Sequence, residues 1–307
     1  MSLIIIAPGR DVSLLIKSII DINPKIQVQT WPDIDDFDSI SGAILWKHPK
    51  GITQQFPNLR YIQSLGAGVD HIVADQSIDL SLPIARIKSE KLNIEMAKYI
   101  VGMIISYEKG FVDLFKVGKI KADPTTSFMS TKHVGILGLG AIGSFVGASL
   151  KQLGYEVSGY SQSQKSFSGI KSYSGSEQLG DFLANLDVLV CLLPLTNQTE
   201  NFLDYGLFSQ LKKGALLINA ARGAHLVEAD LIRALDEGFV AQACMDVLRQ
   251  EPIPDDHIFK SRKDILITPH IASLTDQEEV AGQIAANYSK ALSGEELIGQ
   301  INRNKGY

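Results

Sequence analysis

The chain of 307 residues is long enough for two domains of ordinary size, and 45% hydrophobic with 21% charged residues is the balance of a soluble globular protein. A net charge of −5 without any Lys/Arg run argues against a nucleic-acid partner. No apolar stretch reaches the length of a membrane span, and the opening Met1-Ser2-Leu3-Ile4-Ile5-Ile6-Ala7-Pro8 lacks the basic start of a signal peptide. The first third alternates short apolar runs with helical patterns. Strands are predicted at residues 3–7, 26–30, 43–46, 61–64 and 84–87, and a helix at 11–22. Runs this short, split by turn residues and helical stretches, predict a parallel sheet. A long helical stretch follows at 92–117, apolar at Ile94, Met96, Ala97, Ile100, Val101, Ile104 and Ile105. A polar connector at 119–132, containing Pro124, comes after it. The domain crossing is placed in that helix, with 1–98 and 275–307 in one domain and 99–274 in the other. The same helix offers a face for a homodimer.

The middle of the chain repeats the alternation. Six strands are predicted at 134–137, 156–160, 188–192, 215–219, 241–245 and 265–268. Helices at 177–184, 205–211 and 226–236 fall between them, and the Ser-rich 161–176 stretch is read as a loop. The last helix, 275–293, is amphipathic and returns toward the N-terminal domain. The expected fold class is α/β, with two doubly wound parallel-sheet domains. One is a Rossmann dinucleotide-binding domain inserted into a flavodoxin-like substrate domain. Cys191 and Cys244 sit in apolar strand-like runs and read as buried free thiols of a reducing, cytoplasmic environment. Neither has a metal-ligand partner at a suitable spacing, so no metal is expected.

The motif with the most chemical content is Gly138-Leu139-Gly140-Ala141-Ile142-Gly143, which leaves a predicted strand and opens a helix. In G-x-G-x-x-G the first glycine makes a tight turn, the second lets backbone approach a pyrophosphate, and the third lets helix pack on strand. The helix start near Ala141 then presents N–H groups to the phosphates. An acid normally stands about 20 residues further on to bind the ribose 2′-OH of NAD. Here Ser161 takes that place, followed by Gln162, Ser163 and Lys165. Without a carboxylate to repel it, a 2′-phosphate can be bound, so NADP(H) is the preferred cofactor and NAD(H) the second. The usual phosphate-binding arginine is missing, which leaves the strength of that preference open.

Three strand ends complete a constellation. Ile218-Asn219-Ala220-Ala221-Arg222-Gly223 ends in an arginine, Met245-Asp246-Val247-Leu248-Arg249-Gln250-Glu251-Pro252 in a glutamate, and Thr268-Pro269-His270 in a histidine. Ligands of open α/β sheets bind outside the carboxyl ends of the strands, so the three are delivered to one edge. Singly, each could be structural. Together, behind a dinucleotide fingerprint, they suit reduction of a 2-oxo acid: a cation for the carboxylate and carbonyl, an acid for the proton, and a carboxylate to tune that acid.

On these segments, and on the first-domain loop Leu65-Gly66-Ala67-Gly68-Val69-Asp70-His71, the chain resembles the D-isomer-specific 2-hydroxyacid dehydrogenases over nearly its whole length. Leu45-Trp46, Tyr160-Ser161 and the terminal Arg303-Asn304-Lys305-Gly306-Tyr307 are similar to the glyoxylate/hydroxypyruvate reductase branch. The resemblance implies that Arg222 binds and polarises the substrate, that His270 is the general acid, and that Glu251 is its partner. It implies that Ala67 and Gly68 N–H groups hold the carboxylate and that Asp246 contacts the nicotinamide. Further cofactor contacts are expected from Leu193, Pro194, Ala220, Ala221, Ala272 and Ser273. The branch usually carries basic residues where Gln162 and Gln164 stand here. Trp46 either bounds the substrate pocket or sits in the core. Two other readings stay open: a dehydrogenase for another 2-hydroxy acid, and a non-enzymatic dinucleotide-dependent regulator.

Overall fold

The computed structural model describes residues 1–112, 132–303 and 306. They form two compact units, Met1–Leu92 with Thr275–Tyr307, and Asn93–Leu274. Residues 113–117 of the predicted long helix, 119–131 of the connector, and Asn304, Lys305 and Tyr307 lie outside the described residues. Helices α1 (Ser13–Ile22), α2 (Glu90–Glu108), α3 (Ala141–Gln152), α4 (Glu228–Asp236) and α5 (Gln277–Ser293) are the principal ones. The change of unit falls inside α2, nearer its start than the expected boundary. Among the described residues no helix is long and apolar enough to cross a membrane.

The first unit is built on β1 (Ser2–Ile6), β2 (Gln27–Thr30), β3 (Ile40–Leu45), β4 (Tyr61–Ser64) and β5 (Ile84–Ala85). They lie in the order β2-β1-β3-β4-β5, all parallel. This is the flavodoxin-like order. Every residue of β1, β3 and β4 is buried, which explains their unbroken apolar runs: a parallel sheet is covered on both faces. Leu15 and Ile19 of α1 pack with Val280, Ala281 and Ile284 of α5 on one face. Fully burying each such side chain contributes about 2 kcal/mol of transfer free energy. Asp276 caps α5 by accepting from the Glu278 and Glu279 N–H groups, and Gly294, at φ 75°, closes it in the left-handed conformation.

The second unit contains β6 (His133–Leu137), β7 (Glu156–Ser161), β8 (Lys171–Ser174), β9 (Val188–Cys191), β10 (Ala215–Asn219), β11 (Val240–Met245) and β12 (Ile265–Ile267). Their order is β12-β11-β10-β9-β6-β7-β8, all parallel. This is the Rossmann order extended by one strand beside β11. It corrects the expectation of six strands and of a loop throughout 161–176. Residues Lys171–Ser174 form β8 at the sheet edge, where Ser158 to Ser161 of β7 pair with it. An edge strand with one exposed and three half-buried residues has none of the apolar run that marked the others. The switch point lies between β6 and β9, whose neighbouring carboxyl ends open the crevice of this fold.

Candidate functional site

The glycine turn after β6 has the geometry its residues require. Gly138 adopts φ 102°, and a Cβ there would lie 2.6 Å from the Leu192 carbonyl oxygen. A Cβ on Gly143 would lie 1.9 Å from the Gly138 carbonyl oxygen, so only glycine lets α3 sit this close to the turn. A Cβ on Gly140 would meet nothing within 4 Å. That open space lies at the N-cap of a helix without a side-chain cap, whose first-turn N–H groups have no partner within the helix. The donors and the space fit a dinucleotide pyrophosphate.

The end of β7 is more internally bonded than the sequence suggests. Ser161 is 8% exposed, and its hydroxyl donates to the Ser163 carbonyl at 2.8 Å. Gln162 Nε2 donates to Gln198 Oε1 at 2.9 Å, tying this loop to the segment after β9. Gln164 is held against β8 through the Ser172 carbonyl and the Ser174 hydroxyl. Lys165 is exposed, and its ammonium makes no ion pair among the described residues. Lys165 is therefore the one cation among the four expected 2′-phosphate contacts, and it is exposed. Nothing in the local sequence of Gln198 marks this bond.

The three strand ends also acquire positions. His270 Nδ1 donates to Glu251 Oε2 at 3.0 Å, with the two side chains 35% and 26% exposed. That bond assigns the proton to Nδ1 and leaves Nε2 free to face a ligand. Glu251 Oε1 accepts the Leu248 N–H at 3.2 Å, which anchors the carboxylate to its own loop. His270 has φ 56°, a left-handed backbone that a residue with a side chain keeps only when its surroundings fix it. Asp246 provides the fixing: its carbonyl accepts the His270 N–H at 3.0 Å. Its carboxylate accepts from the Thr268 hydroxyl at 2.6 Å and from the Ile271 and Ala272 N–H groups, each at 2.9 Å. Asp246 is 2% exposed, so its main visible work is to shape residues 268–272.

Arg222 follows β10 in an extended conformation, with Nη1 donating to the Ala221 carbonyl at 2.7 Å. His225, fully buried, holds this segment. Its Nδ1 accepts the Arg222 N–H at 3.2 Å, and its Nε2 lies 3.3 Å from the Pro194 carbonyl oxygen. One imidazole thus joins the loops after β9 and β10, with Nδ1 also 3.1 Å from the Arg222 carbonyl oxygen. Ala220 N–H donates to the Cys191 carbonyl at 3.3 Å, and Ala221 N–H to Asn219 Oδ1 at 3.2 Å. Leu193 and Pro194 follow β9, and Ala272 and Ser273 follow His270, so the expected cofactor contacts all stand at carboxyl strand ends of this sheet. Both cysteines are buried, and burial pushes each thiol up to about 12.

Trp46, Ala67 and Gly68 belong to the first unit. Trp46 is half-buried rather than fully enclosed: the Arg10 guanidinium lies 3.9 Å above its ring, and His71 meets it edge-on at 5.3 Å. Ser64 shapes the neighbouring loop, donating to the Gly68 carbonyl at 2.6 Å and accepting the Gly66 N–H at 3.2 Å. The Ala67 and Gly68 N–H groups donate to nothing among the described residues, as donors reserved for an anion would.

With this geometry in place, the comparisons are specific. The family model described as D-isomer specific 2-hydroxyacid dehydrogenase, NAD binding domain, matches residues 109–272. A glyoxylate/hydroxypyruvate reductase A from Yersinia enterocolitica is 32% identical over 92% of this chain and 93% of its own. A glyoxylate/hydroxypyruvate reductase A from Escherichia fergusonii is 31% identical over the full length of both. A D-isomer specific 2-hydroxyacid dehydrogenase from Xanthobacter autotrophicus, solved with NADPH and MES, has a TM-score of 0.92 and 29% identity, covering 100% of this chain and 99% of that one. An NADPH-dependent glyoxylate/hydroxypyruvate reductase from Sinorhizobium meliloti, solved with NADP and sulfate, has a TM-score of 0.90 and 26% identity, covering 100% of both.

Proposed function

The chain belongs to the D-isomer specific 2-hydroxyacid dehydrogenase family, and from that premise we propose that it reduces a short 2-oxo acid, glyoxylate or hydroxypyruvate, to the D-2-hydroxy acid. It uses a nicotinamide dinucleotide, with NADP(H) preferred. The observation that carries the reading is the 3.0 Å hydrogen bond from His270 Nδ1 to Glu251, at the carboxyl edge of a sheet that opens with the glycine turn.

A reduced nicotinamide, when bound, supplies a hydride to C2 of the substrate. The rest falls to this chain. His270 carries a proton on Nε2 when charged and gives it to the carbonyl oxygen as negative charge grows there. Glu251, hydrogen-bonded to the opposite ring nitrogen, fixes the ring plane and points Nε2 at the substrate. Arg222 pairs with the carboxylate through its planar fork and stabilises the developing alkoxide. The free Ala67 and Gly68 N–H groups serve as further carboxylate donors. Gly140 and the first turn of α3 receive the pyrophosphate. The 2′-phosphate is held by Lys165 with help from the Ser163 hydroxyl, the Ser161 hydroxyl being given to the Ser163 carbonyl. Asp246 meets the nicotinamide only with lone pairs left over from its four bonds to residues 268–272.

The test is a panel of 2-oxo acids with each reduced cofactor, followed by nicotinamide absorbance and by the chirality of the product. Fast turnover of glyoxylate and hydroxypyruvate, with D-glycerate from the latter, is expected. Turnover only of bulky 2-oxo acids would move the substrate assignment elsewhere in the family.

A further inference from the structure

A residue outside the strand ends is linked by side-chain hydrogen bonds to the carboxylate that holds the two residues after His270. The Tyr99 hydroxyl, on α2, lies 2.6 Å from Thr268 Oγ1 and 3.2 Å from Cys244 Sγ. Thr268 has one hydroxyl proton, which it gives to Asp246 Oδ1 at 2.6 Å. Tyr99 must therefore donate to Thr268, and the Cys244 thiol must donate to Tyr99. Burial pushes the Tyr99 phenol well above the usual tyrosine range, so it stays a donor. The same carboxylate accepts the Ile271 and Ala272 N–H groups, and the Asp246 main-chain carbonyl accepts that of His270; together they set the left-handed turn on which the imidazole stands.

We propose that Tyr99 is a positioning residue for His270, acting through Thr268 and Asp246. The inference rests on the reading of His270 as proton donor. Its physical basis is that a hydrogen bond received by the Thr268 oxygen strengthens the one Thr268 gives, because partners in series polarise each other in a low-dielectric interior. It also fixes the Thr268 rotamer, so that the Asp246 carboxylate keeps its orientation toward the two amides. A phenyl ring at position 99 would fill the same volume and supply none of this.

The experiment compares the full-length wild type with Tyr99→Phe, Thr268→Val and Thr268→Ser, by amide hydrogen exchange and by steady-state kinetics. Losing one buried hydrogen bond should speed exchange at residues 270–272 by about fivefold in Tyr99→Phe and lower kcat by a similar factor. The KM for the cofactor should change less than kcat, since the glycine turn and the end of β7 are untouched. Thr268→Val should reproduce the loss, Thr268→Ser should keep wild-type behaviour, and the Tyr99→Phe/Thr268→Val pair should be no worse than Thr268→Val alone. Exchange and kcat within twofold of wild type in Tyr99→Phe would overturn the proposal, as would faster exchange with an unchanged kcat. Should Tyr99→Phe fail to fold, Tyr99→His, which keeps a ring donor toward Thr268, takes its place: exchange at residues 270–272 and kcat near wild type support the proposal, and loss equal to Thr268→Val overturns it. If the wild type reduced no 2-oxo acid, the functional reading would fall. The exchange arm would then decide alone whether Tyr99 holds the His270 segment.

Discussion

Gly223 and Leu248 meet backbone to backbone. A Cβ on Gly223 would lie 1.9 Å from the Leu248 carbonyl carbon, so the loop after β10 packs directly on the loop after β11. Arg222 precedes this contact, and the Leu248 N–H holds Glu251 on the other side of it. The spacing between the proposed substrate cation and the proposed partner of His270 is therefore set by the absence of one methyl group. Gly223→Ala must displace one loop, and a shift of about 1 Å in a catalytic group can cost on the order of 100-fold. We expect kcat/KM to fall by about that factor, with cofactor affinity within severalfold of wild type. Activity within fivefold would show that the two loops are not geometrically coupled.

Arg222 is proposed to hold a carboxylate and polarise the adjacent carbonyl with one planar group. Lysine keeps the charge and loses the fork. Arg222→Lys should raise KM for hydroxypyruvate and lower kcat together, with cofactor binding unchanged. A lysine variant with wild-type KM and kcat would make Arg222 a structural residue of the His225 loop.

Cofactor choice should follow the end of β7. Wild type should prefer NADPH by about five- to fiftyfold in kcat/KM, where about 1.4 kcal/mol corresponds to tenfold. Lys165 is exposed, so Lys165→Ala should remove only about fivefold of that preference. Ser161→Asp should reverse the preference, by repelling a 2′-phosphate and accepting from the 2′-OH. It also breaks the bond to the Ser163 carbonyl, which frees the loop to rearrange. The readout is the ratio of kcat/KM for the two cofactors in all three proteins. Unchanged ratios would place selectivity outside this loop.

Much of this site is legible from residues that tolerate no substitute. The glycines of the fingerprint are readable because Gly138 and Gly143 face backbone atoms closer than any Cβ permits. The strand-end residues Arg222, Glu251 and His270 are readable because buried parallel strands announce themselves as apolar runs, and their ends are then countable. What stays hidden depends on partners distant in sequence. β8 carries Lys, Ser, Tyr and Ser at a sheet edge, so its pairing with β7 leaves no apolar trace. His225 looks like any loop histidine until the Pro194 carbonyl is brought to its ring. Asp246 reads as a ligand contact, yet its oxygens are engaged with the His270 turn, because the chain reverses there and brings three N–H groups and a hydroxyl onto it.

Stability of the dinucleotide-binding unit should depend on Asp187. Its carboxylate accepts the Lys132 and His133 N–H groups at 2.9 and 3.0 Å and pairs with Lys212, clamping the start of β6. Burial alone would raise its pKa, but the Lys212 ammonium and the two amides outweigh burial and hold it below the usual carboxylate range. A depressed folded-state pKa contributes stability that is present above the unfolded value near 4 and is lost as pH falls through the folded one. Asp187→Asn should therefore cost about 2 kcal/mol at neutral pH and several degrees in Tm. The Tm difference from wild type should shrink as the pH is taken below about 4. A pH-independent difference would assign the loss to the amide side chain rather than to the charge.

The central claim is that His270, oriented by Glu251, delivers the proton. The most direct measurement is hydroxypyruvate reduction by wild type and His270→Ala at saturating NADPH, with cofactor affinity measured separately by fluorescence. The account predicts a kcat lower by about 100-fold or more in the variant, at unchanged NADPH affinity. A variant within twofold of wild type on both hydroxypyruvate and glyoxylate would contradict it.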